Sequence, residues 1–272
     1  MQVVSRFRGI VAVALFLLTI VSTATAQYAG GTGEPNDPYQ IATAADLILL
    51  GETPEDYDKR FILVADIDLD PNLPGRKVFD RAVIAPDTDP RYDFQETGFT
   101  GVFDGSGHTI SHLTIRGSGH LGLFGRLGRY TPRAGEVRDL GVVDVNITGS
   151  GVYVGGLVGT NGGTVTQCHS TGAVTGTDEV GGLIGYNWGT VSQCYCTATI
   201  SGGLVVGGLA GHSEGAVTRC HSTGAVTGTD IVGALVGDNW GAVTQCYSTA
   251  EVKGDEYVGG LVGQNSEHSI VS

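Results

Sequence analysis

The sequence predicts an all-β fold: a right-handed parallel β-helix of 26-residue coils with a short N-terminal capping helix. Three observations predict it. The unit VGGLVG, VGGLIG, VGGLAG, VGALVG, VGGLVG begins at Val154, Val180, Val206, Val232 and Val258, one period of 26 residues each time and with no insertion. A strict period in that range marks a solenoid, one supersecondary unit stacked on copies of itself. Within the unit, short runs of Val, Leu and Ile are separated by Gly, Asn, Ser and Thr, which is strand-and-turn composition. No window of the array carries a 3.6-residue apolar stripe, which argues against helices. A propeller blade needs about 40 residues or more, and the leucine-rich line L-x-x-L-x-L-x-x-N is absent.

In a parallel β-helix, three strands per coil are expected, and equivalent residues stack in columns about 4.8 Å apart. Leu157, Leu183, Leu209, Leu235 and Leu261 form one column, and Val165, Val191, Val217 and Val243 another; both should fill the interior. Val165 and Cys168 are three residues apart, so both can face inward only if a bend lies between them. Units one and three share CHSTGAVTGTD, whereas units two and four share NWG and QCY, so the array reads as a duplicated pair of coils.

The line GGLVG-x-N-x-G-x-V-x-x-C-[HY]-S-T-G-x-V-x-G resembles the GLUG repeat of bacterial surface and secreted proteins. The resemblance is strong over 154–263 and weak over 121–149. It implies a β-helical, surface-associated, adhesin-like role, or an accessory segment of a large IgA-cleaving metallopeptidase. It supplies no catalytic residue. H-E-x-x-H is absent from the sequence, so peptidase chemistry of that kind is not encoded here.

Taken in order, residues 1–26 read as a secretory signal peptide. Arg6 and Arg8 form the positive region, 10–21 the apolar core, and Ala24-Thr25-Ala26 the cleavage site. This predicts a secreted or cell-surface protein. No other long apolar run occurs, so no membrane insertion is expected once the leader is removed. The formal net charge is −13, and loss of the leader makes the chain more acidic still. An acidic surface disfavours nucleic acid and anionic lipid as partners.

Residues 27–120 are read as the N-terminal cap and first strands. Thr43 and Asp46 form a capping-box pattern that starts a helix running through Leu50, expected to lie as a lid over the first coil. The stretch RFILVADIDLD at 60–70 reads as a strand with Ile67 and Leu69 inward. Asp66, Asp68 and Asp70 face outward, with a weak calcium-site pattern as the alternative to a solvated face. Residues 71–97 read as a polar surface loop. Residues 121–153 form a divergent coil with a loop inserted at 129–135. Residues 154–272 are the repeat array, its last coil incomplete. That ending predicts a longer parent chain, or a partner over the last coil, with end-to-end self-association among the options.

Candidate binding residues follow from the columns. Trp188 and Trp240 occupy one turn two coils apart and could form a flat platform for alternate sugars, against packing over the coil corner as the plainer reading. Tyr195 and Tyr247 alternate with His169 and His221 as stacked surface rings. Asp178, Asp230 and Glu256 share a turn column that Leu204 interrupts, with Glu179 and Asp255 beside it. Clustered carboxylates can cleave sugars on such a scaffold, but Arg219 and Lys253, the array's only basic residues, stand in other columns. Cys168, Cys194, Cys220 and Cys246 form a column expected to be reduced and buried, with Cys196 outside it; a straight column does not converge on a metal. The expectation is a non-catalytic exported adhesion or binding scaffold, or a stalk, with surface glycans or other surface proteins as partners and no metal or cofactor. The alternatives are a polysaccharide-active lyase or hydrolase, or an accessory segment of a larger surface protease.

Overall fold

A computed structural model describes residues 28–88, 97–128 and 135–272. The leader at 1–26 and residues 129–134 of the inserted loop lie outside the described residues. The array is a parallel β-solenoid. Val158 pairs with Ile184, Ile184 with Ala210, Ala210 with Val236 and Val236 with Val262, all in parallel and one period apart. The ladders assemble into sheets of nine, five, six and eleven strands that run along the molecule.

The three coils that begin at Asp178, Val205 and Ile231 hold five short strands rather than three, and the coil before them holds four because His169–Thr175 is continuous. One coil runs Val205–Gly207, Ala210–Ser213, Ala216–Thr218, His221–Ser222 and Ala225–Thr227. The corners account for the difference. Gln167, Gln193, Arg219 and Gln245 have φ of 56°, 55°, 54° and 55°. This left-handed conformation costs a non-glycine residue about 1–2 kcal/mol. It breaks the two-residue alternation, so Val217 and Cys220 both point inward, at 0 % and 1 % exposure. The Leu column from Leu157 to Leu235 is fully buried, and each such side chain contributes about 2 kcal/mol of hydrophobic stabilisation. Leu261, in the last coil, is half-buried.

Toward the N-terminus the core changes from aliphatic to aromatic. Phe61, Phe99 and Phe124 form a chain of tilted rings, with Tyr28 edge-on to Phe61. The helix spans Ala44–Glu52 and carries the predicted capping box: the Asp46 amide donates to Thr43 Oγ1 at 3.2 Å, and the Thr43 amide donates to Asp46 Oδ2 at 2.9 Å. Leu47 and Leu50 are buried in the core against the end of the solenoid.

Two expectations are corrected here. The predicted strand at 60–70 is two strands, Arg60–Leu63 and Ile67–Asp68, in different sheets, because the chain turns a corner between them. Ile67 and Leu69 do face inward, and Asp66 and Asp68 are exposed. The described part of 71–97 is a surface loop only over 71–78, where most residues are exposed; residues 79–87 pack against the coils. Phe79 bridges Ile115 and Ile84 bridges Phe124, both in parallel, and Ile84 is fully buried. The apolar alternation within FDRAVIA lets this stretch lie against the coils. In the divergent coil, Phe124 pairs with Val158, Val137 with Val165 and Ile147 with Val174. A bulge opposite Ser170–Gly172 absorbs the mismatch in length.

Candidate functional site

One column of the array changes residue type in every coil. It is the residue before the repeat asparagine, and it reads Thr160, Tyr186, His212, Asp238, Gln264 along one sheet. The neighbouring strands, Val152–Val154 and Asp178–Gly181, carry Tyr153 and Glu179 as their second residues, with φ values of 61° and 48°. The last glycine of VGGLVG brings the two strands together. A Cβ on Gly211 would lie 2.5 Å from the Glu179 carbonyl carbon and 2.7 Å from Val180 N. Only glycine permits that approach, and it sets the backbone of Glu179 directly on the strand that carries His212.

Aromatic rings cross the coils here in a diagonal. Ring centroids are 4.8 Å apart for His120–Tyr153, 5.3 Å for Tyr153–Tyr186, 5.0 Å for Tyr186–His212 and 6.1 Å for His212–Trp240. Carboxylates accompany the rings. Tyr186 Oη donates to Glu214 Oε1 at 2.7 Å, and Trp240 Nε1 donates to Asp238 Oδ2 at 2.8 Å. His212 Nδ1 lies 3.3 Å from Asp238 Oδ2, and its Nε2 lies 3.9 Å from Glu214 Oε1.

The burial of these groups changes their acidity. Burial, reinforced by the charges of Asp178, Asp238 and Glu214, pushes the Glu179 carboxyl up to about 7; His212 opposes this. Burial pulls His212 down, but the hydrogen bond to Asp238 and the charges of Glu179, Asp238 and Glu214 outweigh it, so the imidazole is raised. Burial and the bond to Glu214 raise the Tyr186 phenol. The cluster therefore combines a carboxyl pushed up to about 7, an imidazole raised above its ordinary value and an exposed indole.

The residues singled out in the sequence fall into separate places. Trp240 is 58 % exposed and belongs to the cluster. Trp188 does not form a platform with it. Its ring packs over Gly162 and beneath the Arg126 guanidinium, 5.5 Å from the ring centroid, and it keeps 8 % of its surface. The absent side chain at Gly162 leaves the space into which Trp188 folds. Tyr195 and Tyr247 stand on another sheet in a near-parallel ring stack. Centroid spacings are 4.7, 5.1 and 4.9 Å through His169, Tyr195, His221 and Tyr247, with interplanar angles of 2°, 9° and 2°.

Asp178 accepts the Glu179 amide at 2.9 Å and so supports the turn that aims Glu179. Asp230 and Glu256 lie farther along that column, past the exposed Leu204, and do not join Asp178 in a common site. Asp66, Asp68 and Asp70 do not converge either. Asp66 accepts from the Thr109 amide, Asp68 faces His112 Nδ1 at 2.8 Å, and Asp70 accepts from the Asn72 amide. Among the described residues no group of three or more His, Cys, Asp and Glu side chains is placed to hold a metal ion. The five cysteines are free thiols; Cys168, Cys194, Cys196 and Cys220 are buried. Sequence reading missed Tyr153, Tyr186, His212, Glu214 and Asp238. The available signal was the set of columns, those of Tyr153, Tyr186 and Glu214, that vary inside an otherwise repeating unit.

Fold and site together define a parallel β-solenoid that carries a cluster of acidic and aromatic side chains on one face. Comparison with known proteins agrees with this class. The family model described as the GLUG motif matches residues 150–175, so the chain contains a GLUG repeat. Over 162 residues the chain is 35 % identical to halomucin of Haloquadratum walsbyi. That match covers 57 % of this chain and 2 % of halomucin's length. A crystal structure of a candidate immunoglobulin A1 protease from Bacteroides ovatus superposes with a TM-score of 0.62 at 20 % identity, covering 90 % of this chain and 80 % of that one. At that identity the likeness is one of fold.

Proposed function

We propose that the chain is a non-catalytic, exported binding scaffold and that its ligand is a glycan held on the face of Tyr186, His212 and Trp240. The observation that carries this reading is Trp240: 58 % exposed, yet fixed in place by its bond to Asp238. A sugar ring needs an apolar plane for its C–H face and polar groups at the edge for its hydroxyls, and here both are held rigid. The leader pattern at 1–26 and the kinship with a stretch of halomucin support export and a surface setting. The test is a screen of immobilised oligosaccharides against the full chain and its Trp240→Ala variant. Binding that survives the substitution removes this reading.

A second reading has its own support. A carboxyl raised to about 7 beside another carboxylate is suited to act as a general acid in glycoside hydrolysis. Release of reducing ends from polysaccharide, abolished by Glu179→Gln, would establish it. The non-catalytic reading is preferred because, among the described residues, the ion-pair partner of Glu214 and Asp238 is His212 rather than a Lys or Arg that could neutralise developing charge. The third reading, an accessory segment of a larger surface protease, draws on the fold neighbour and is tested by the intact mass of the native protein.

A further inference from the structure

Asn146 is the only asparagine in the sequence followed two positions later by serine or threonine, in Asp144-Val145-Asn146-Ile147-Thr148. N-x-T is the acceptor motif for a sugar on nitrogen, and Asp144 gives it the longer acidic form D-x-N-x-T. The strand Gly141–Gly149 presents the motif in extended conformation. Alternation turns Val145 and Ile147 into the core, at 2 % and 1 % exposure, and sends Asp144, Asn146 and Thr148 outward, all three exposed. The repeat asparagines differ. Asn161, Asn187 and Asn239 are fully buried, and their side-chain amides join one coil to the next. Asn146 is held through its main chain, whose amide donates to the Leu113 carbonyl at 2.9 Å, so its side chain is free to carry a branch.

The surroundings leave room for one. Asn146 lies between Thr114 and Ala173 in the parallel ladders, both smaller than itself. Farther along the same column stand Thr199, Ala225 and Glu251, so the acceptor occurs once on this face. Two residues on from Asn146, Thr148 lines an open cleft of about 510 Å³ together with Arg116, Ser118 and Ser150. Small-molecule sites occupy about 300–1,000 Å³. The hydroxyls and the guanidinium of this cleft match the hydrogen-bonding groups of a sugar.

We propose that Asn146 is N-glycosylated during export and that the first sugars of the glycan lie in the cleft of Arg116, Thr148 and Ser150. The proposal needs the export that the leader pattern implies and is independent of glycan binding at Trp240. In the transfer, Asn146 Nδ2 bonds to the anomeric carbon of a sugar diphosphate supplied by the exporting cell. The bond from that carbon to the diphosphate oxygen breaks, the diphosphate leaves with the electron pair, and the amide nitrogen gives up one proton to solvent.

The test is peptide mass analysis of the chain secreted by its native host. The peptide that covers 144–148 is expected to carry a sugar mass, assigned by fragmentation to Asn146. Asn146→Gln and Thr148→Ala, expressed in that host, should each abolish the added mass, whereas Thr148→Ser should keep it. Both positions are exposed, so secretion of the variants at the wild-type level checks that they fold. A secreted wild-type chain whose Asn146 peptide is unmodified overturns the proposal. A sugar mass that persists in Asn146→Gln overturns it too, since the sugar then sits on another residue. Arg116→Ala should keep the mass but let an amidase release the glycan faster from the folded chain; an unchanged rate overturns the seating in the cleft. Carbohydrate binding by Trp240→Ala is read separately and bears on the glycan-binding reading alone.

Discussion

Asn161 donates from Nδ2 to Oδ1 of Asn187 in the next coil at 2.8 Å, and both side chains are fully buried. The pattern continues from Asn187 to Ser213 Oγ at 3.0 Å and from Asn239 to Asn265 at 2.7 Å. Each asparagine oxygen also accepts the amide two residues on: Gly163 at 3.0 Å, Gly189 at 3.2 Å and Gly241 at 3.2 Å. A buried amide satisfied both across and along the coil is a strong constraint on register.

Asn187→Leu removes the acceptor for Asn161 Nδ2, while the Gly189 amide keeps its bond to the Asn161 carbonyl at 3.1 Å. A buried donor left unpaired costs about 1–3 kcal/mol, so a loss of about that size is expected from urea unfolding. Asn187→Ser, the residue that Ser213 provides in the next coil, should cost less.

Glu179 gives a pH-dependent prediction. Folding raises its pKa from 4.5 to about 7, so between those values the folded chain keeps a proton that the unfolded chain has released. The resulting destabilisation is absent below the unfolded value, grows as pH rises between the two values and is complete above about 7. Glu179→Gln should therefore leave stability unchanged at about pH 4 and raise it by up to about 3 kcal/mol at about pH 8. Thermal unfolding of both proteins across this range measures it.

The two tryptophans should respond oppositely to alanine. Trp188→Ala opens a cavity over Gly162 and is expected to cost about 3–5 kcal/mol. Trp240→Ala lies at the surface and should shift stability by less than about 1 kcal/mol while removing carbohydrate binding. A Trp188→Ala variant that folds as well as wild type would overturn the packing account.

Thiol reactivity tests the cysteine column. Burial pushes Cys196 up to about 12 and Cys194 higher still, and neither is open to solvent. Cys246, in the penultimate coil, is half-buried. An aromatic disulfide reagent should react first at Cys246, with the remaining thiols appearing only on denaturation.

Much of the fold was legible because it repeats. Leu157 to Leu235, the cysteine column, the His169–Tyr247 ring stack and the Thr43–Asp46 cap all follow from residue type at fixed spacing. The five-strand coil was less legible, because Gln167 and Arg219 are ordinary residues until their φ is seen. Phe79 and Ile84 were hidden in a proline-containing stretch whose composition reads as loop. The cluster was the least legible part. Its rings come from Tyr153, Tyr186, His212 and Trp240, which occupy different positions of the unit and meet only through the offset between neighbouring strands. Glu179 was visible only as a neighbour of Asp178; that it turns inward depends on Gly211 having no side chain.

Pairing each residue with its counterpart one period away makes the array a ruler. Adding or removing one whole unit away from the cluster restores the repeating Leu and Val columns, and changes the reach of the rod by about 4.8 Å. Length can thus be set in whole steps without redesigning any surface, and the cluster can be carried nearer to or farther from whatever the rod is joined to while its own geometry stays the same.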